Sequence, residues 1–166
     1  MATIIPVSPF DYVVFGATGD LTQRKLLPAL YQRYRDAQIP ETSRIIGASR
    51  SHMTVEEFRE HARDALKSFV PPAEIDESKL AGFLDHLFYV AVDALGDEGW
   101  DDLKHLLDER PDRIRPYYLA TSPDLYGSIC RNLDRYGLIG ENSRVVLEKP
   151  IGKDLKSARA INDAVG

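Results

Sequence analysis

Short apolar runs alternate with longer amphipathic stretches along this chain. The runs are Tyr12–Phe15, Arg44–Ala48, Leu87–Val92, Pro116–Ala120 and Arg144–Glu148. They are rich in Val, Ile, Tyr and Phe and nearly continuous, the pattern of strands buried on both faces of a parallel sheet. The stretches between them carry helix signals. Thr54 and Glu57 form a capping box ahead of Val55, Phe58, Ala62 and Leu66. Asp76 opens a stretch with Leu80, Phe83, Leu84 and Leu87, and Gly99 precedes Trp100, Leu103, Leu106 and Leu107. Pro123 stands in the first turn of a helix carrying Leu125, Ile129 and Leu133, with Gly137 placed to end it. This alternation predicts an α/β fold built on a doubly wound parallel sheet. A length of 166 residues suits one domain spanning 1–166.

Composition narrows the function classes. A hydrophobic fraction of 43% and a charged fraction of 28% are those of an ordinary soluble protein. With a net charge of −5 the chain as a whole has no electrostatic attraction for nucleic acid or an acidic membrane, although local basic groups remain able to hold a phosphate. Cys130 is the single cysteine, so an internal disulfide is excluded. Residues 1–15 lack a basic n-region and are interrupted by two prolines and Asp11, which argues against a secretory signal. Apolar runs all fall short of the roughly 20 residues of a membrane span. A reducing, cytoplasmic setting is expected.

The most informative stretch is Phe15-Gly16-Ala17-Thr18-Gly19-Asp20-Leu21. A buried strand runs directly into a turn with two glycines, and a helix follows. In such a unit the backbone N–H groups of the turn and of the helix N-terminus face the carboxyl end of the sheet and suit a pyrophosphate. Glycine serves where a Cβ would block the phosphates or where φ must be positive. The spacing is not G-x-G-x-x-G, since Thr18 and Leu21 hold the second and third glycine positions. The Gly-Lys-Ser/Thr ending of a P-loop is missing too, which argues against triphosphate hydrolysis. A purely structural turn is the alternative; its position after the first strand favours dinucleotide binding.

The second predicted strand ends Gly47-Ala48-Ser49-Arg50, without an acidic residue. An Asp or Glu there would accept from the adenosine 2′-hydroxyl and repel a 2′-phosphate, whereas an Arg favours the phosphate. The Arg50 guanidinium suits bidentate capture of a phosphate, with Ser49 expected to donate a further hydrogen bond. NADP is therefore preferred over NAD in this reading, with a merely solvated arginine as the alternative.

Five segments together resemble the glucose-6-phosphate dehydrogenase family. Gly16-Ala17-Thr18-Gly19-Asp20-Leu21 is similar to its G-A-S/T-G-D-L turn, and Thr22-Gln23-Arg24-Lys25-Leu26-Leu27-Pro28 to the basic segment that follows. Ile46-Gly47-Ala48-Ser49-Arg50 resembles its second strand with the coenzyme arginine. Leu119-Ala120-Thr121-Ser122-Pro123 with Tyr126 resembles its L-A-x-P-P-x-x-Y region, and Glu148-Lys149-Pro150-Ile151-Gly152 its E-K-P-x-G motif. The likeness spans the chain, in order and with compatible spacing. It implies a Rossmann-type NADP-binding domain in which Gly16, Ala17, Thr18, Gly19, Asp20, Leu21, Thr22 and Gln23 meet the coenzyme phosphates and Arg50 the 2′-phosphate. It further implies Asp93, Ala94 and Tyr126 beside the coenzyme, with a core aromatic as the alternative for Tyr126. Lys149 would touch both coenzyme and sugar phosphate, and Lys25 the substrate side, with a solvated helix lysine as its alternative. Departures are Thr22 and Gln23, where many members carry Ala and a basic residue, and Ser122 in place of the first proline. The resemblance also implies a sharp bend at Lys149–Pro150, whose peptide is expected to be able to adopt the cis form.

The same resemblance implies oxidation of glucose 6-phosphate at C1 to 6-phosphogluconolactone by a full-length enzyme, expected to be a homo-oligomer. The family's R-I-D-H-Y-L-G-K motif and catalytic histidine do not occur here. His52, His61, His86 and His105 fall on predicted helices or their caps, so no catalytic residue is assigned. No metal is expected. The chain reads as the coenzyme-binding piece of a longer enzyme, inactive by itself. A stand-alone NADP-binding redox sensor or scaffold is the alternative. A short-chain reductase fits poorly, because none of the tyrosines has a lysine four residues on.

Overall fold

The computed structural model describes residues 8–147; the Glu148–Gly152 segment, with Lys149 and the Lys149–Pro150 peptide, lies outside them. Five strands form one sheet: β1 Asp11–Phe15, β2 Arg44–Ser49, β3 Leu87–Ala91, β4 Arg115–Leu119 and β5 Ser143–Leu147. Their order is β3-β2-β1-β4-β5 and every neighbouring pair is parallel. Each predicted run corresponds to a strand, with bounds shifted by a residue. The helices are α1 Leu27–Arg35, α2 Val55–Phe69, α3 Glu77–Asp85, α4 Trp100–Asp108 and α5 Tyr126–Arg135. The described helices include none long and apolar enough to cross a membrane.

Successive strand residues point to opposite faces, and the sheet separates two cores. Val14, Ile45, Leu87 and Tyr89 pack with Leu27, Tyr31, Phe58, Leu66 and Phe83 of α1, α2 and α3. Val13, Phe15, Ile46, Ala48, Tyr117 and Leu119 pack with Trp100, Leu103, Ile129 and Leu133 of α4 and α5. Burial on both faces is why the strands read as continuous apolar runs.

Several helix boundaries have the predicted cause. The Thr54 hydroxyl accepts from the Glu57 N–H at 3.1 Å while the Glu57 carboxylate accepts from the Thr54 N–H at 2.9 Å, closing the capping box. The Asp76 carboxylate caps α3 by accepting from the Ser78 hydroxyl at 2.7 Å and the Ser78 N–H at 2.9 Å, and its pKa is lowered, first by the Ser78 hydroxyl and then by the Lys79 and Ser78 N–H groups. Pro123 begins a short 3-10 turn, Pro123–Leu125, rather than α5 itself, and Gly137 takes the left-handed conformation just past the helix end.

At the amino end of the sheet, Asp11 and Arg44 are buried together. The guanidinium donates to both carboxylate oxygens at 2.9 and 2.7 Å, and also to Glu109 and the Leu106 carbonyl. Three elements, β1, β2 and the end of α4, are thereby tied at the edge opposite the predicted site.

Candidate functional site

Because the strands are parallel and in register, their carboxyl ends form one edge. Phe15 lies opposite Ala48 and Leu119, and Ser49 opposite Ala91. The segments leaving that edge begin at Gly16, Arg50, Val92 and Ala120. The chain runs outward from β1 through β2 to β3, then returns to β4 on the other side of β1. That reversal between β1 and β4 is where open α/β sheets bind their ligands.

Gly16 stands at the reversal with φ +85°, and a Cβ placed on it would sit 2.5 Å from the Ala120 carbonyl oxygen. Only glycine fits both demands. The turn it opens is largely closed on itself. The N–H groups of Gly16 and Ala17 donate to the Ala48 carbonyl at 2.9 and 3.3 Å, and the Gly19 N–H donates to the Gly16 carbonyl at 3.0 Å. The expectation that the whole turn offers its amides to a ligand is therefore corrected: these three are engaged within the fold. The first bond of the following helix runs from the Gln23 N–H to the Gly19 carbonyl. It leaves the N–H groups of Asp20, Leu21 and Thr22 as first-turn donors with no intrahelical acceptor.

Two side chains hold the turn in shape. The buried Thr22 hydroxyl donates to the Gly16 carbonyl and the Gln23 amide donates to the Ala17 carbonyl, both at 2.8 Å. In a trans peptide the N–H points away from the C=O, so fixing the Ala17 carbonyl toward Gln23 turns the Thr18 N–H away from Gln23. The helix then widens into a π segment, Thr22–Leu26, in which the Leu27 N–H reaches the Thr22 carbonyl. Such segments recur at functional sites. Lys25 lies within it and is exposed, and Arg24 pairs with Asp20 at 3.4 Å.

Arg50 is exposed directly after β2, and among the described residues it has no ion-pair partner. Gly47 makes its surroundings possible, since a Cβ there would lie 2.6 Å from the Phe58 ring and 2.9 Å from the Ala17 Cβ. The Ser49 hydroxyl is held against the Tyr89 hydroxyl, whose own proton goes to the Ser51 carbonyl. A hydroxyl carries one proton, so the Ser49 proton is spent on Tyr89, and the expected donation from Ser49 to a phosphate is corrected. Burial raises the Tyr89 phenol above its ordinary pKa.

A sequence profile described as the NAD binding domain of glucose-6-phosphate dehydrogenase matches residues 13–166. The chain belongs to the glucose-6-phosphate dehydrogenase family. Among its relatives, the glucose-6-phosphate 1-dehydrogenase of Rhizobium meliloti is 52% identical over 163 residues, covering 98% of this chain and 33% of the relative. That of Gluconobacter oxydans is 56% identical, covering 96% and 33%. The solved Mycobacterium avium glucose-6-phosphate 1-dehydrogenase superposes with a TM-score of 0.80 at 30% identity, covering 95% of this chain and 34% of that one. A glucose-6-phosphate dehydrogenase solved with its substrate glucose-6-phosphate gives 0.80 at 32% identity, covering 100% and 35%. The chain thus spans about a third of the length of these relatives, and it corresponds to the coenzyme-binding domain of glucose-6-phosphate dehydrogenase.

Of the positions that likeness to glucose-6-phosphate dehydrogenases picks out, Gly16 to Gln23, Arg50, Asp93 and Ala94 gather along the carboxyl edge. The Asp93 and Ala94 carbonyls are held by Trp100, Ser128 and Asn132: Trp100 Nε1 donates to Asp93 at 2.9 Å, Ser128 Oγ to Ala94 at 2.6 Å and Asn132 Nδ2 to Ala94 at 3.2 Å. Tyr126 is buried within the α4–α5 core, the surroundings its packing alternative describes, and burial raises its phenol pKa. His52 is a correction, since it lies in the loop after β2, where its Nε2 pairs with Glu98 at 3.1 Å, rather than on a helix. Tyr89, Ser128 and Asn132 were missed by sequence reasoning because their partners are carbonyls 34 to 40 residues away, contacts that no local pattern encodes.

Proposed function

We propose that this chain is the NADP-binding part of an enzyme that oxidises the C1 hydroxyl of glucose 6-phosphate to the lactone. One observation carries the reading. A closed glycine turn and helix start stand at the reversal of a parallel sheet, beside a neighbouring strand that ends in Arg50 without a carboxylate. The donor set fits a dinucleotide. Thr18 and the first-turn amides of Asp20, Leu21 and Thr22 suit the diphosphate, with the helix dipole behind them. Arg50 suits the 2′-phosphate, to which a guanidinium donates bidentately.

When bound, the nicotinamide coenzyme supplies a hydride acceptor. The residues here bind and orient; Lys149 and Lys25 are assigned to the sugar phosphate side, and the base that takes the C1 hydroxyl proton comes from the remainder of a longer enzyme. Catalysis by this domain is therefore positioning, and the isolated chain is inactive in this reading.

Calorimetric titration with NADP and NAD tests it. Loss of a charge-assisted bidentate contact costs roughly 1.5–3 kcal/mol, so Arg50→Ala should raise the NADP dissociation constant about 10- to 100-fold. Binding of NAD, which has no 2′-phosphate, should stay within about twofold. An unchanged NADP constant in Arg50→Ala would overturn the assignment.

A further inference from the structure

Arg50 stands between two peptides that are both fastened by one side chain. The Tyr89 hydroxyl accepts from the Ser49 Oγ and shares its one proton between the Ser51 carbonyl and, at 3.2 Å, the Ser49 carbonyl. The Ser49 carbonyl also accepts from the Val92 N–H at 2.8 Å. Tyr89 is itself immobilised. It sits on β3 opposite Gly47, is 7% exposed, and its ring packs on Phe58 with centroids 5.1 Å apart. Gly47 leaves the space that Phe58 fills. Raised by burial, the phenol keeps its proton throughout the neutral range and remains a donor.

We infer that Tyr89 is a positioning residue for coenzyme choice: its hydroxyl fastens the backbone on both sides of Arg50 and so directs the guanidinium toward the 2′-phosphate. The inference rests on the reading that Arg50 holds that phosphate. Tyr89 does not touch the ligand. It spares Arg50 the ordering that a loose loop residue undergoes on binding, which is how preorganisation raises affinity. Ser49 plays a lesser part, because its proton is directed at Tyr89 and not at solvent.

The test uses the purified protein titrated with NADP and with NAD, alongside thermal unfolding, for Tyr89→Phe, Ser49→Ala and Arg50→Ala. Tyr89→Phe keeps the ring and removes only the hydroxyl. It should raise the NADP constant by about tenfold, the size of one to two net hydrogen bonds, and the NAD constant by less than about twofold. Ser49→Ala should leave the NADP constant within about twofold. A merely structural role would shift both constants together with the melting temperature, and that result overturns the inference. So does an NADP constant unmoved by Tyr89→Phe, or a loss in Ser49→Ala as large as in Arg50→Ala. Should Tyr89→Phe not fold, Phe58→Leu, which loosens the ring packed on Tyr89, takes its place: it should raise the NADP constant more than the NAD constant, and an equal change in both overturns the inference. A preference untouched by Arg50→Ala would instead bring down the underlying phosphate assignment, and this inference with it.

Discussion

Gly16 and Gly19 share one turn but answer to different constraints. Gly16 needs positive φ, and a Cβ there would collide with the Ala120 carbonyl oxygen at 2.5 Å, an unyielding backbone atom. Gly19 has no positive φ, and its nearest neighbour to an added Cβ is the Gly16 oxygen at 3.2 Å. Strained backbone costs of order 1–3 kcal/mol before the clash is counted, and at this chain length each kcal/mol lowers the melting temperature by roughly 2–4 °C. Gly16→Ala should therefore lose several degrees and dinucleotide binding with it. Gly19→Ala should stay within about 2 °C of the parent and lose affinity only if, as proposed, phosphate approaches the first-turn amides past this residue. Paired melting and NADP titration curves check this. Equal thermal losses in the two variants would show that Gly19 is there for the fold and not for a ligand.

The α2 start shows what was legible and why. Thr54, Glu57 and the apolar residues after them form a self-contained pattern, because capping partners lie three residues apart. Removing such a cap costs about 1 kcal/mol, so Thr54→Ala should destabilise by that amount in urea titration. Adding Glu57→Ala should cost less than the sum of the single changes, as the two bonds are reciprocal. Full additivity would mean that the bonds do not cooperate. Strand positions were legible for a similar reason, since burial on both faces leaves an unbroken apolar run such as Tyr12–Phe15. The π segment Thr22–Leu26 was not, because Leu26, Leu27, Leu30 and Tyr31 repeat at helical spacing whether or not one turn is widened. Of the candidate site, the positive φ at Gly16 and the exposed charge of Arg50 after β2 were legible, because backbone need and charge follow from residue type. Tyr89, Asn132 and the inward bonds of Thr22 and Gln23 depend on which carbonyl the fold brings near, and that is written only in the tertiary arrangement.

Taken as a body, the domain keeps its two ends different. The amino edge is closed by an ion-pair cluster of the buried Asp11 and Arg44 with Glu109, while at the carboxyl edge the loops are held by neutral hydrogen bonds from Thr22, Gln23, Ser128 and Asn132 to their carbonyls. The α4–α5 core also responds to pH. Tyr117 is fully buried on the α4–α5 side, where its hydroxyl donates to the Leu138 carbonyl at 2.6 Å. Burial pushes this phenol from 10.0 up to about 12, and Cys130 of the same core is pushed from 9.0 up to about 11. Both groups are neutral when protonated, so the folded state holds their protons more tightly than the unfolded chain does. Their contribution is complete below the unfolded pKa values and is lost as pH rises through the folded ones, because there the unfolded chain binds fewer protons. For Tyr117 the loss falls between pH 10 and about 12 and amounts to roughly 2–3 kcal/mol. Urea unfolding at rising pH should show stability declining across that window. Tyr117→Phe should start about 1 kcal/mol lower at neutral pH, for the lost hydrogen bond, yet decline less steeply, so that the two curves converge under alkali. Curves that stay parallel would mean that Tyr117 ionises as readily in the folded protein as in the unfolded chain, against the burial of its phenol.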